Sequence, residues 1–135
     1  MKWLGLLVIL VGLGGLAWIR LAPSDPLRWH VAPAVTDDAD LPDGAKRRVT
    51  GAGPEALARL DAIARATPRT AVLAGSVAEG MVTYVTRSRL FGFPDYTTVQ
   101  RAGDDLLIHA RQRFGRSDMG VNRARLDDWL RRLGA

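Results

Sequence analysis

The sequence predicts a small α+β domain, in which a four-stranded antiparallel sheet carries two helices on one face, preceded by an N-terminal transmembrane helix. Three observations lead to this fold class. An uncharged apolar run opens the chain, four stretches rich in β-branched and aromatic residues lie between positions 70 and 114, and apolar residues recur at helical spacing on either side of them. A chain of 135 residues has room for one such domain.

The run from Trp3 to Ile19 has the length and composition of a membrane anchor. As a helix it would be about 26 Å long, close to the thickness of a bilayer core. Lys2 and Arg20 flank the run, and tryptophans lie near its two ends, where membrane helices place aromatic side chains. A cleaved signal peptide is the alternative. Because the small-x-small cleavage sites are poor, we expect residues 1–20 to form an uncleaved single-pass anchor.

Residues 21–53 are predicted to be a proline-rich tether, because four prolines in this segment prevent a continuous helix. The folded domain is expected over residues 54–135. The charges on the two sides of the anchor are nearly balanced, but a very short basic N-terminus is easily retained inside the cell. We therefore expect a protein of the inner (cytoplasmic) membrane in a bacterial envelope, with its soluble domain in the periplasm. The absence of cysteine is compatible with that compartment.

Local patterns predict the elements of the domain. Leu57, Leu60 and Ile63 recur at helical spacing until Pro68 ends the pattern, which indicates the first helix. Strands are predicted at 70–74, 77–87, 97–101 and 106–114, with Gly75-Ser76 as one of the turns between them. The second helix is predicted at about 121–133, where leucines and a tryptophan form one stripe and Ser117 or Asp118 caps the start.

The composition excludes several classes of function. Without cysteine there are no thiolate nucleophiles, disulfides or cysteine metal sites, and only His30 and His109 carry imidazoles. The chain has no nucleophile elbow, no paired-histidine helix and no Walker loop. We therefore predict neither a metal nor a cofactor. The net charge of +5 comes mostly from arginine, but the anchor and the sparse aromatic residues argue against a nucleic-acid partner.

The most distinctive stretch runs from Arg113 to Leu126 and is joined upstream by Phe91 to Asp95. Two interpretations remain open. In the structural one, the glycines permit tight turns and Asp118 caps the last helix. In the functional one, guanidinium groups gather at the helix N-terminus and bind an anion such as phosphate or carboxylate. The anion-binding residues would be Arg113, Arg116, Arg123 and Asn122, supported by Asp95, Asp118, Gly115 and Gly120.

Two segments of this stretch, Phe93-Pro94-Asp95 and the nine residues from Gly115 to Arg123, resemble domain-of-unknown-function family 1499. The resemblance covers roughly Gly53 to Leu133. It implies a mainly bacterial, often membrane-associated protein, and it carries no established activity. The chain departs from many relatives at Tyr96, where they have a second aspartate. It also departs along the last strand at His109, Ala110 and Gln112, where they have serine and arginine, and it lacks their upstream cysteine-containing segment.

These observations predict a single-pass membrane-anchored domain without enzymatic activity. We expect it to bind an anionic ligand, a lipid headgroup or an envelope partner through its arginine-rich motif. The alternative is an envelope hydrolase or transferase, in which Asp95 or Asp118 serves as acid or base and the arginines hold an anionic substrate. Loss of turnover in Asp95→Asn with folding intact would indicate the enzyme, whereas loss of affinity in Arg113→Ala would indicate the binding domain.

Overall fold

The N-terminal helix is long, apolar and not packed into the domain. The computed structural model describes all 135 residues of the chain. Helix α1, Lys2–Leu21, has 20 residues and a mean hydropathy of 2.2, and none of its side chains is buried. By length and composition it can cross a membrane, a property that signal sequences near an N-terminus share.

A six-stranded antiparallel sheet forms the centre of the domain, so the predicted number of four strands is wrong. The strands follow the order β1-β2-β6-β5-β4-β3 across the sheet. Their bounds are β1 Ala39–Leu41, β2 Gly44–Val49, β3 Thr70–Ser76, β4 Met81–Arg87, β5 Pro94–Ala102 and β6 Asp105–Gln112. The two additional strands lie in the segment that the sequence predicts to be a tether.

Strand β2 is not predicted from the sequence, because it places a charged residue on the buried face. Its residues alternate correctly, but Arg47 stands between Ala45 and Val49 on the helix side of the sheet. Arg47 is only 8% exposed, since its guanidinium lies between the carboxylates of Asp40 and Asp127 at 2.8 and 3.2 Å. An arginine that is paired with two carboxylates thus occupies a position where the alternating pattern of a strand predicts an apolar side chain.

The remaining strands have bounds that differ from the predicted ones. The β3–β4 turn lies at residues 77–80, so Gly75 and Ser76 belong to β3 rather than to the turn. Strand β5 begins at Pro94, and the predicted long connection is therefore shorter than expected. Proline fits there because the carbonyl of Arg87, its partner on β4, accepts from Nε of Arg69 at 3.0 Å and needs no N–H from residue 94.

Two helices cover one face of the sheet, as predicted. They are α3, Ala56–Ala66, and α4, Val121–Leu133. Trp129 is fully buried between them and the sheet, where it meets Tyr84 edge to face at 5.8 Å and donates to the hydroxyl of Thr67 at 3.0 Å. The core contains Leu57, Leu60, Val82, Val99, Leu106, Ile108 and Leu126. Each fully buried side chain of this size contributes about 2 kcal/mol of hydrophobic stabilisation.

The opposite face of the sheet is covered by residues 22–35, which we call the N-terminal segment. It contains the single helical turn α2, Pro26–Trp29. Trp29 stacks on Tyr96 with ring centroids 4.1 Å apart, and the Ser24 hydroxyl lies 2.6 Å from that of Tyr96. His30 Nδ1 lies 2.8 Å from the hydroxyl of Thr83. The chain that leaves α1 is therefore packed on the sheet over much of its length.

Candidate functional site

The signature loop, residues 113–120 between β6 and α4, is organised by the carboxylate of Asp118. One oxygen accepts from the backbone N–H of Gly120 at 2.9 Å, and the other accepts from the backbone and side-chain N–H groups of Asn122 at 3.0 and 2.9 Å. Burial opposes the charge of Asp118, but these hydrogen bonds outweigh it and hold the pKa of the carboxyl below its usual value. Asp118 thus caps α4 from two residues before Gly120, the N-cap residue of the helix.

Asn122 links this cap to a second carboxylate on β5. Its amide N–H also reaches Asp95 at 3.4 Å, and its carbonyl oxygen accepts from Arg125 at 2.6 Å. Arg125 in turn pairs with Asp95 at 3.4 Å, with both side chains almost buried. Burial raises the pKa of the Asp95 carboxyl, while Arg125 and Asn122 oppose that change. The two segments of the motif, on β5 and at the start of α4, are thereby joined in one network of buried polar groups.

A cavity of about 340 Å³ opens beside this network. It lies between the signature loop and the β4–β5 loop, residues 88–93. Its walls are mostly apolar, and the polar groups of Asp95 and Gln112 lie among them. The side chains that define it include Ser88, Phe93, Asp95, Gln112, Phe114 and Met119. A concave, largely apolar site with a few polar groups is typical of ligand pockets.

Two features of the cavity stand out chemically. All hydrogen bonds to Asp95 go to Oδ2, so Oδ1 is a free acceptor. The side-chain nitrogen of Gln112 is buried and has no hydrogen-bond partner. Met119, at the rim, is 94% exposed and has a backbone φ of 54°, a conformation that is strained for a residue with a side chain.

The predicted anion-binding residues do not surround one point in space. Arg113 donates to the carbonyl of Pro23 at 2.9 Å, on the side of the N-terminal segment. Arg123 lies 3.7 Å from Asp40, by a separate cavity on the β1–β2 side of the signature loop. Arg116 projects from the tip of the loop and makes no hydrogen bond or ion pair. Asn122 is fully buried, so it holds the loop in place and has no contact with solvent.

The supporting residues have clearer positions. Gly115 lies over the Gln112 amide, because a Cβ added to it would be 3.6 Å from the side-chain nitrogen. Its φ of 96° and the φ of 79° at Gly120 place both glycines in the left-handed region. These two turns bring the loop back across the end of the sheet, as the structural interpretation of the motif requires.

The opposite face of the sheet holds a basic cluster that the motif search overlooked. Arg111 is 8% exposed and has no carboxylate partner; it donates to Thr98, to the carbonyl of His109 at 3.0 Å and to the carbonyl of Trp29. Burial lowers the pKa of Arg111 to about 10. Burial, with Arg111 and Lys46 nearby, lowers the pKa of His109 to about 4. The sequence does contain a sign of this cluster, because apolar and basic residues alternate along β6 and place the basic ones on one face.

The C-terminal end of α1 contacts the β4–β5 loop. Arg20, in its last turn, donates from Nε to the carbonyl of Phe91 at 3.3 Å and from Nη2 to that of Leu90 at 3.1 Å. The side chains of Leu90 and Phe91 are 73% and 45% exposed. The β4–β5 loop, one wall of the cavity, is thus attached to the end of the apolar helix.

Comparison with known proteins identifies a family but no characterised relative. A family model described as "Protein of unknown function (DUF1499)" matches residues 20–133. No curated protein and no solved structure matches the chain. The matched range begins at Arg20 and so includes the N-terminal segment as well as the sheet and both packed helices.

Proposed function

Since the chain belongs to the DUF1499 family, a family of unknown function, we propose its role from the site itself: a single-pass, membrane-anchored binding domain for anionic lipid headgroups. In this proposal α1 spans the inner membrane of a bacterial envelope and the domain faces the periplasm. The domain performs no catalysis. Its ligand site is the surface formed by the β4–β5 loop and the signature loop, each of which carries an exposed arginine, Arg89 and Arg116.

The observation that carries the proposal is the attachment of the β4–β5 loop to Arg20. An arginine in the last turn of a spanning helix lies at the headgroup level of the bilayer. Because Arg20 holds the carbonyls of Leu90 and Phe91, the exposed side chains of these two residues lie at that level too. Apolar side chains beside arginines are the composition that membrane-contacting surfaces use.

The charge at this surface favours an anion. Arg116 on the signature loop and Arg89 on the β4–β5 loop are exposed and make no ion pair within the protein. Arg113 uses Nη1 for the carbonyl of Pro23 and the hydroxyl of Tyr96, which leaves donors on its other nitrogens. Guanidinium groups bind phosphate with two parallel hydrogen bonds, so these arginines suit a phospholipid headgroup. Arg123 faces Asp40 and is not required for this site.

Hydrogen exchange on the full chain in lipid nanodiscs tests the proposal. We expect residues 88–93 and 113–120 to gain protection when anionic lipid is added to zwitterionic lipid, and Arg116→Gln to reduce that gain. The matched control is Arg65→Gln, which removes an exposed arginine of α3 that pairs only with Asp61. Equal protection in zwitterionic and anionic discs would refute anion binding at these loops.

A second candidate function is hydrolysis or group transfer on an anionic envelope substrate, and the observation that favours it is the Asp95 carboxyl. Its raised pKa and free Oδ1 in a cavity are properties of a general acid. Asp118 is not available for that role, because both of its oxygens are occupied by the helix cap. Turnover that disappears in Asp95→Asn while the thermal transition is unchanged would replace the binding proposal by this one.

A further inference from the structure

Two hydrogen-bond acceptors in the wall of the cavity are accessible and have no donor. Asp95 on β5 and Gln112 on β6 are directly opposite each other, so their side chains leave the sheet on the same face. Asp95 Oδ1 and Gln112 Oε1 accept no hydrogen bond, and both reach solvent. The Gln112 nitrogen is buried beneath Gly115 and is closed to a ligand. The two strands thus offer a ligand two acceptors and no donor.

The charge around the cavity favours a cation. The carboxylates of Asp95 and Asp118 are both part of its wall, whereas no basic side chain is. Arg125 pairs with Asp95, so the two carboxylates and this one guanidinium leave a net formal charge of −1 in the network. Arg113 contacts the Phe114 ring but is directed to the N-terminal segment. A ligand that enters the cavity therefore meets negative charge first.

We propose that the cavity binds a primary ammonium group on a short carbon chain, with Asp95 Oδ1 and Gln112 Oε1 accepting two of its N–H groups. An ammonium has three donors and no acceptor, which is the complement of these two oxygens. The carbon chain contacts the apolar wall formed by Phe93 and Phe114. This site is separate from the exposed arginines of the two loops, so it does not depend on the proposed headgroup binding. The ammonium belongs either to a soluble alkylamine or to the headgroup of an aminophospholipid.

Other polar groups match the cavity less well. A carboxylate or phosphate has no donor for either oxygen and is repelled by the carboxylates. A hydroxyl has a single donor, so it leaves one of the two acceptors unpaired. A quaternary ammonium carries the right charge but has no N–H group, and it leaves both acceptors unpaired. Only a primary ammonium supplies charge and enough donors together.

The side-chain amides of the chain report directly on this site. Gln100, Gln112 and Asn122 are the only side-chain amides in the sequence, so three pairs of NH₂ signals are expected in a ¹⁵N spectrum. Full-length protein in an uncharged maltoside detergent is titrated with n-butylammonium chloride. We expect a saturable shift of the Gln112 signals, because an ammonium at Oε1 polarises that amide. The Gln100 signals should not move, since Gln100 lies on β5 with its side chain on the other face of the sheet.

Two further ligands separate charge from hydrogen bonding. n-Butanol has the same carbon chain with a neutral hydroxyl, and n-butyltrimethylammonium has the charge without an N–H group. We expect each to bind about tenfold more weakly than n-butylammonium, because charge-assisted hydrogen bonds to the two oxygens are lost. Equal affinity for n-butanol, or equal affinity for n-butyltrimethylammonium, overturns the proposal.

Asp95→Asn is the first variant, because it removes the charge and keeps the shape of the side chain. We expect the affinity for n-butylammonium to fall about tenfold and that for n-butanol to stay the same. Asp128→Asn is the matched control, since Asp128 forms only surface pairs on α4. Because Asp95 also pairs with Arg125, Gln112→Met provides a second variant that removes Oε1 together with the unpaired buried nitrogen. It should weaken n-butylammonium binding, read from the Asn122 signals, with no loss of Tm.

The outcomes have distinct meanings. Unchanged affinity in folded Asp95→Asn or in Gln112→Met overturns the ammonium site and leaves the headgroup proposal intact. Loss in both, with wild-type affinity in Asp128→Asn, supports it. Dihexanoyl phosphatidylethanolamine then identifies the source of the ammonium. Tighter binding than n-butylammonium supports the site with a lipid headgroup as its ligand, and weaker binding supports it with a soluble amine.

Discussion

Replacing Asp118 by alanine tests whether the signature loop is held by its carboxylate. The change removes the acceptor for three N–H groups, two from the backbone of Gly120 and Asn122 and one from the Asn122 side chain. Loss of the helix cap costs about 1 kcal/mol, and leaving the buried Asn122 amide with only the longer contact to Asp95 costs about 2 kcal/mol more. We therefore expect a loss of about 3 kcal/mol in the free energy of unfolding.

In a domain of this size that loss corresponds to a fall in Tm of about 12 °C. The assay is thermal unfolding of the full chain in detergent, followed by near-ultraviolet circular dichroism, which reports on the packing of aromatic side chains such as Trp129 and Trp29 rather than on helix content. Asp128→Ala is the control on the same helix, because Asp128 forms only surface pairs with Arg131 and Arg132, and such pairs contribute less than about 1 kcal/mol. A fall in Asp118→Ala no greater than in Asp128→Ala would refute the reasoning.

Three further predictions concern the sheet. In urea titrations, His109→Gln should reduce the change in the free energy of unfolding with pH by about 2 kcal/mol. In the wild type the buried imidazole is neutral above the ordinary pKa of 6.5, and the free energy of unfolding decreases as pH falls towards the folded pKa of about 4. Trp29→Ala should lower the free energy of unfolding by about 2 kcal/mol through loss of the Tyr96 stack, whereas Trp18→Ala in α1 should leave it unchanged. Gly44→Ala should abolish cooperative thermal unfolding, because its Cβ would lie 2.1 Å from the carbonyl oxygen of Ala110; a normal transition would contradict the β2–β6 register.

Local sequence patterns predicted most of the fold, but strand β2 was not predicted because it contains a buried arginine that is paired with carboxylates. The two packed helices have the apolar spacing that burial on one face imposes, and strands β3 to β6 are rich in β-branched and aromatic residues, so their type was readable from the sequence. Strand β2 was not readable, because Arg47 is compensated by Asp40 and Asp127, which are distant in sequence. Only the folded chain brings those carboxylates to Arg47, so the pairing cannot be predicted from the residues that neighbour Arg47 in the sequence.

The site was predicted less well for a geometric reason. Residues close together in a motif were expected to meet around one ligand, but successive residues on a helix point about 100° apart. Asn122 therefore points into the protein while Arg123 points out towards Asp40. The same spacing explains Arg125, which is three residues after Asn122 and contacts it. That Gln112 and Asp95 lie opposite each other follows from the register of β5 and β6, which the sequence does not predict.

The connection between α1 and the domain bears on how the proposed site would work. A flexible tether would keep the domain near a membrane while allowing it every orientation. Here Arg20 binds the β4–β5 loop, Arg113 binds the carbonyl of Pro23, and the buried Arg111 binds that of Trp29, so the chain leaving α1 is fixed to the sheet at three points. Backbone carbonyls are the partners of all three arginines, and no carboxylate competes for them. Docking of this kind would hold one face of the domain at a constant height above the bilayer, as the proposed headgroup site requires.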